Sequence, residues 1–114
     1  MEHYYTQNPQ TPHDIRSIVF SAGNIRLELY TDAGVFSRNK VDYGSEWLIR
    51  SLPKLSGNIL DLGCGYGAIG LSIAFSNPDA RVMMVDINQR AVDLSLRNIE
   101  RNRIQNAAAH VSDG

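Results

Sequence analysis

The chain has 114 residues, 11 basic and 12 acidic, and 43% of them are apolar; that is enough for about one small globular domain and too evenly charged for a whole-protein electrostatic grip on nucleic acid. Its one cysteine, Cys64, excludes an intrachain disulfide, and the polar opening MEHYYTQNPQ has no secretory h-region, so a reducing, cytoplasmic setting is expected. No run approaches the roughly 20 apolar residues of a membrane span, and His3, His13 and His110 stand in no zinc-ligand spacing, so no metal is expected.

Residues 1–14 read as an arm, with Pro9 and Pro12 as breakers. IRSIVF and IRLELYT follow, separated by SAGN; Ile25, Leu27 and Leu29 alternate with Arg26 and Glu28, which predicts a β-hairpin. DAGVFSRNKVDYG is a glycine-punctuated connector. Ser45 is expected to cap a helix through EWLIRSLPKL, in which Trp47, Leu48, Leu52 and Leu55 keep helical spacing and Pro53 falls in the last turn.

From residue 58 a regular alternation begins. NILDL is a short buried strand, AIGLSIAFS a helix stopped by Asn77-Pro78, and RVMMVDI a second apolar strand. Asn88 is a good N-cap for QRAVDLSLRNIERNR, where Val92, Leu96 and Ile99 lie on one face. AAAHV is a third strand. Strand–helix–strand–helix–strand predicts an α/β chain with a parallel sheet and right-handed crossovers. Three such strands make half of a doubly wound sheet. The chain therefore divides into residues 1–44, an arm, hairpin and connector, and residues 45–114, half of a ligand-binding domain. It is expected to be the N-terminal part of a longer protein. Its open sheet edge predicts self-association.

The stretch ILDLGCGYGAIG carries the chemistry. A strand that ends in a glycine loop and opens a helix lets a ligand approach the backbone and meet free N–H groups. Gly65, Gly67 and Gly70 match the G-x-G-x-x-G of dinucleotide binders, and Asp86 ends the next strand 21 residues after Gly65, so spacing alone permits a nicotinamide cofactor and an oxidoreductase. Asp61, inside the strand, argues otherwise. A carboxylate there suits an ammonium group and is a poor neighbour for a pyrophosphate. With Asp86 for a ribose diol and Asp113, after the third strand, for an adenine amine, three acids match three parts of S-adenosylmethionine. Each has a plainer reading: a buried hydrogen-bonded acid, a solvated strand end, a chain-end residue. Cys64 has no basic partner in the local sequence, and a structural or ligand-lining role outweighs a nucleophilic one. Arg97, Arg101 and Arg103 read first as a solvated helix face and second as an RNA contact. Tyr4 and Tyr5 could stack on a base or pack as a docking arm.

ILDLGCGYGAIG, VMMVDIN and HVSDG resemble the first three motifs of the class I S-adenosylmethionine methyltransferases, a Rossmann-like fold. The upstream GVFSRNKVDYGSEWLI resembles the lead-in of the small-domain family related to the ribosomal RNA small-subunit guanine-N2 methyltransferases, and HYYTQNP the start of its short bacterial members. The resemblance implies S-adenosyl-L-methionine as cofactor. It puts Asp61, Gly63, Cys64 and Gly65 around the methionine part, Asp86 on the ribose hydroxyls, Ile87 beside the adenine and Asp113 at its amino group. Residues around Phe36 and Gly44 would close over the cofactor. It also implies methyl transfer to a guanine amine of ribosomal RNA. Methyltransferases acting on protein glutamine or DNA adenine share this cofactor half, and a non-catalytic interaction module is a third class. The family's fourth motif, Asn-Pro-Pro, occurs nowhere in these residues, so no catalysis by the 114 residues alone is expected.

Overall fold

A computed structural model describes residues 11–35 and 37–112. The hairpin forms as β1 (Arg16–Ala22) and β2 (Ile25–Thr31), antiparallel, with Ala22 opposite Ile25. Gly23 stands in the two-residue turn with φ +60°, a conformation glycine adopts at little steric cost. Leu27 and Leu29 are fully buried, as the alternation required.

Helix α1 spans Tyr43–Ser51, and its cap is Asp42 rather than Ser45. Asp42 is extended and accepts the Ser45 N–H at 3.1 Å, while the Ser45 hydroxyl donates to the other Asp42 oxygen at 2.6 Å. Both residue types cap well; the one standing where the chain turns takes the role. The helix also ends earlier than expected. Leu52 precedes Pro53, and the proline ring pushes its predecessor into extended backbone, here ψ 138°. The expected face dissolves with it. Ile49 is the buried residue of α1, while Trp47 is 62% exposed.

A parallel sheet follows in the order β3 (Asn58–Leu62), β4 (Arg81–Asp86), β5 (Ala107–Val111), connected by α2 (Ala68–Ser76) and α3 (Gln89–Arg101). Asp61 pairs with Met84 and Met84 with Ala109, and this row faces the helices. The neighbouring row, Leu60, Met83 and Ala108, faces away. Leu60 is 58% exposed, and the row lines an open groove of about 840 Å³ with Pro78 and Asn106. α2 is apolar on all sides because α1, β2 and β4 surround it.

α3 is capped by Asn88, which accepts the Arg90 N–H at 3.0 Å. Its buried stripe differs from the expected one. Val92 is buried, Ile99 partly so, but Leu96 is exposed, and the most buried residues of the helix include Ser95 and Asn98. The reason lies in the hairpin. Asn98 accepts the Tyr30 N–H at 2.7 Å and donates to the Tyr30 carbonyl at 3.0 Å; Asn102 does the same for Glu28, both at 2.9 Å. Two side-chain amides thus act as the next strand and close the free edge of β2. Among the described residues no helix is long and apolar enough to cross a membrane.

Candidate functional site

The parallel sheet ends in a loop whose form depends on three glycines. Cys64 N–H extends the β3–β4 ladder by donating to the Val85 carbonyl at 2.9 Å. Gly63, Gly65 and Gly67 then take φ values of +69°, +57° and +102°, a region where other side chains are strained. At Gly63 and Gly65 a Cβ would meet nothing within 4 Å, so the loop borders open space. Gly67 begins α2, where the first backbone N–H groups of a helix lack intrahelical partners. Gly70 has a different reason. A Cβ there would lie 2.4 Å from Met84 Sδ and 3.0 Å from Asp61 Oδ2, so α2 can approach the sheet only as glycine.

Asp61 sits beneath this approach. Its Oδ2 is buried and has no hydrogen-bond partner among the described residues. Burial, opposed by the nearby Gly70 N–H, which does not reach Oδ2 in hydrogen-bond geometry, and assisted by the Asp86 charge, pushes its carboxyl up to about 6. Asp86 is buried, and each of its oxygens accepts one backbone N–H. Its Oδ2 accepts the Gly65 N–H and its Oδ1 the Asn88 N–H, both at 2.9 Å, so it ties the glycine loop to the start of α3. Ile87 beside it is 65% exposed, unusual for an isoleucine at a strand end.

Cys64 turns its thiol into the protein, 3.5 Å from Ser95 Oγ, and burial pushes the thiol up to about 12. It is no nucleophile at neutral pH. Ser95 also donates to the Gly65 carbonyl at 2.8 Å. Tyr66 is buried, and its hydroxyl lies 2.9 Å from the Ser37 carbonyl and 3.3 Å from that of Lys40. The connector is held at its other end too. Buried Asp32 accepts from His13 and from the N–H groups of Asp14 and Ala33, and Arg90 stands 3.8 Å away. Burial alone would raise this carboxyl; those bonds, with His13 first, outweigh it and hold it below the usual carboxylate range.

The structure therefore brings Asp61, Gly63, Cys64, Gly65, Asp86 and Ile87 to one end of the sheet. Asp113 and Phe36 lie outside the described residues. Gly44 sits in the first turn of α1 with only ordinary contact to Asp42, so nothing there calls for a glycine. Arg97 and Arg101 both stack over the Tyr30 ring, at 4.4 and 4.2 Å from its centre, and Arg101 pairs with Glu28, while Arg103 lies beyond the end of α3. Sequence reasoning missed Asp32, Arg90, Ser95 and Asn98. Their partners lie 30 to 68 residues away in the chain for Ser95 and Asn98, and no local pattern announces them.

Comparison with known proteins places this geometry. Residues 26–114 match the methyltransferase small domain. The uncharacterized protein YbxB of Bacillus subtilis is 44% identical over 98% of this chain and 57% of its own length. The ribosomal RNA small subunit methyltransferase C of Aeromonas hydrophila is 44% identical over 74% of this chain and 25% of its own. The chain thus spans about half, or less, of the curated relatives it matches. Among solved structures, the T. thermophilus 16S rRNA methyltransferase RsmC, in complex with AdoMet and guanosine, superimposes with a TM-score of 0.79 at 30% identity, over 92% of this chain and 29% of that one. A Pyrococcus abyssi tRNA methyltransferase in complex with S-adenosyl-L-homocysteine shares the fold, with a TM-score of 0.60 at 22% identity, over 85% of this chain and 24% of that one. With the family matched over most of its length, and with the α/β, Rossmann-like architecture in place, the chain belongs to the methyltransferase small domain family.

Proposed function

We propose that this chain forms the S-adenosylmethionine site of a methyltransferase that acts on a guanine exocyclic amine in ribosomal RNA. The observation that carries the cofactor reading is Asp61. A buried carboxylate oxygen without a partner, next to a glycine loop that borders open space, is costly unless a cation arrives to match it. The ammonium group of the methionine moiety is such a cation. The remaining residues fit the same molecule. An ionised carboxylate has about four acceptor positions, and Asp86 uses two on backbone N–H groups, which leaves two for the ribose hydroxyls. Ile87 offers an exposed apolar face to an adenine. Gly63 and Gly65 leave the space above the loop clear, and Cys64 contributes through its backbone while its thiol packs below. Asp113 is assigned the adenine amine on the resemblance alone.

When bound, S-adenosylmethionine supplies a methyl group made electrophilic by its sulfonium. These residues would hold and orient it; none of them stands out as a base or nucleophile for the transfer. The Asn-Pro-Pro motif that positions a target amine in such enzymes is absent from the 114 residues, so we assign them binding and not the transfer step. The guanine in ribosomal RNA rests on the relatives, one of which was solved with guanosine.

The NAD alternative keeps the glycine spacing and Asp86 but leaves Asp61 facing a phosphate. Calorimetric titration with S-adenosylhomocysteine and with NAD separates the two. The proposal expects binding of the first only, lost in Asp86→Ala. Binding of NAD with no binding of S-adenosylhomocysteine overturns it.

A further inference from the structure

Tyr66 is the x of a glycine loop, a position where loop geometry places no demand on the side chain, yet it is among the most buried residues of the site. Its two ends are both occupied. The backbone carbonyl accepts from Asn98 Nδ2 at 2.8 Å, on α3, and the hydroxyl reaches the Ser37 and Lys40 carbonyls of the connector at 2.9 and 3.3 Å. Ser37 is itself held in the left-handed region, with φ +60°, a conformation that a serine keeps only when its surroundings enforce it. Thr31 Oγ1 donates to the Arg38 carbonyl between the two points of attachment. Three segments that are distant in the sequence thus meet on one residue: the glycine loop, the connector and, through Asn98, helix α3.

We infer that Tyr66 is a positioning residue, a strut whose hydroxyl locks the connector at Ser37–Lys40 against the glycine loop and so preorganises the loop for the cofactor. The inference rests on the cofactor site proposed above. Burial, with the Asp42 charge beside it, also raises the phenol well above its usual range, so the hydroxyl keeps its donor proton at every working pH. Removing the hydroxyl takes away the donor that the Ser37 and Lys40 carbonyls share and leaves the Thr31–Arg38 bond to hold φ +60° at Ser37. The ring itself, and the packing below the loop, would stay.

The test compares Tyr66→Phe with the unaltered intact protein in S-adenosylhomocysteine titration and in amide hydrogen exchange. The expected result is roughly tenfold weaker binding, about 1.4 kcal/mol, with faster exchange confined to residues 38–42 and the glycine loop in the ligand-free protein. Ser37→Gly in the Tyr66→Phe background should recover part of the affinity, because glycine takes a left-handed φ without enforcement. A tyrosine that only fills space would be replaced by phenylalanine with the affinity and the local exchange unchanged; that outcome overturns the inference. If the unaltered protein fails to bind S-adenosylhomocysteine, the cofactor reading falls instead, and the strut's role in it with it.

Discussion

Asp61 sets two pH dependences of opposite sign. In the free protein its carboxyl titrates near 6, above the 3.8 of an exposed aspartate. Between those values the folded state holds a proton that the unfolded state has released, so stability is full below about 3.8 and falls as pH rises to about 6. The loss is on the order of 3 kcal/mol. A ligand bearing an ammonium group needs the charged carboxylate, so its affinity should rise across the same window, by at least about tenfold. Asp61→Asn should flatten both curves. Urea midpoints and S-adenosylhomocysteine titrations at pH 4, 5, 6 and 7 read them, and the difference between the two proteins removes the contribution of Asp32. That residue works the other way. Its carboxyl is held low, so its stabilisation is present above the ordinary carboxylate range and is lost as pH falls below it. Gly70 yields a simpler expectation. Ala at this position puts a methyl 2.4 Å from the sulfur of fully buried Met84, and overpacking of this kind costs about 1–3 kcal/mol in thermal unfolding. At this scale the sequence was readable where a residue type is wrong for its surroundings, as an aspartate in an apolar strand or glycines in a row. It was silent about Ser95 and Asp32, whose types suit many places and whose partners are remote.

The elements held where the pattern was backbone-driven and shifted where side chains decided. The hairpin and all three parallel strands follow from alternation and from short apolar runs, and the glycine loop joins β3 to α2 where expected. α1 and α3 show the limit. Apolar spacing predicted Leu96 as an inward residue, yet it is exposed, while Asn98 is wholly buried. Hydrophobic periodicity cannot find a polar seam, because an asparagine that completes a strand edge looks like any surface asparagine until the strand is in place. The seam has a measurable strength. Asn98→Ala would leave the Tyr30 N–H and carbonyl and the Tyr66 carbonyl without their partner. Stranded buried groups of this kind cost about 1–3 kcal/mol each when water does not replace the partner, so a loss of roughly 2–4 kcal/mol in urea unfolding is expected. Exchange of the Tyr30 amide should accelerate with it. Asn102→Ala, at a partly exposed position, should cost less.

For the whole molecule, the asymmetry of the sheet decides the behaviour. Among the described residues α2 and α3 cover one face, while Leu60, Leu62 and Met83 are exposed on the other. Parallel sheets are found almost only with both faces covered, because their side chains are apolar on both. The alternation of strands and helices made this layout legible, but not which face would be bare, since Ile59 and Leu60 are equally apolar and only the crossovers choose between them. A bare apolar face with a groove of about 840 Å³ is a surface that finds a partner. The 114 residues alone should therefore self-associate as concentration rises in sedimentation or light scattering. Leu60→Glu with Leu62→Glu should return the mass to that of a monomer. Their side chains are more than half exposed, so the unfolding midpoint should move by less than about 0.5 kcal/mol. A chain already monomeric before substitution would show that water satisfies this face. A double variant that associates as before would move the contact to another surface, with the unpaired edge of β3 the first to examine.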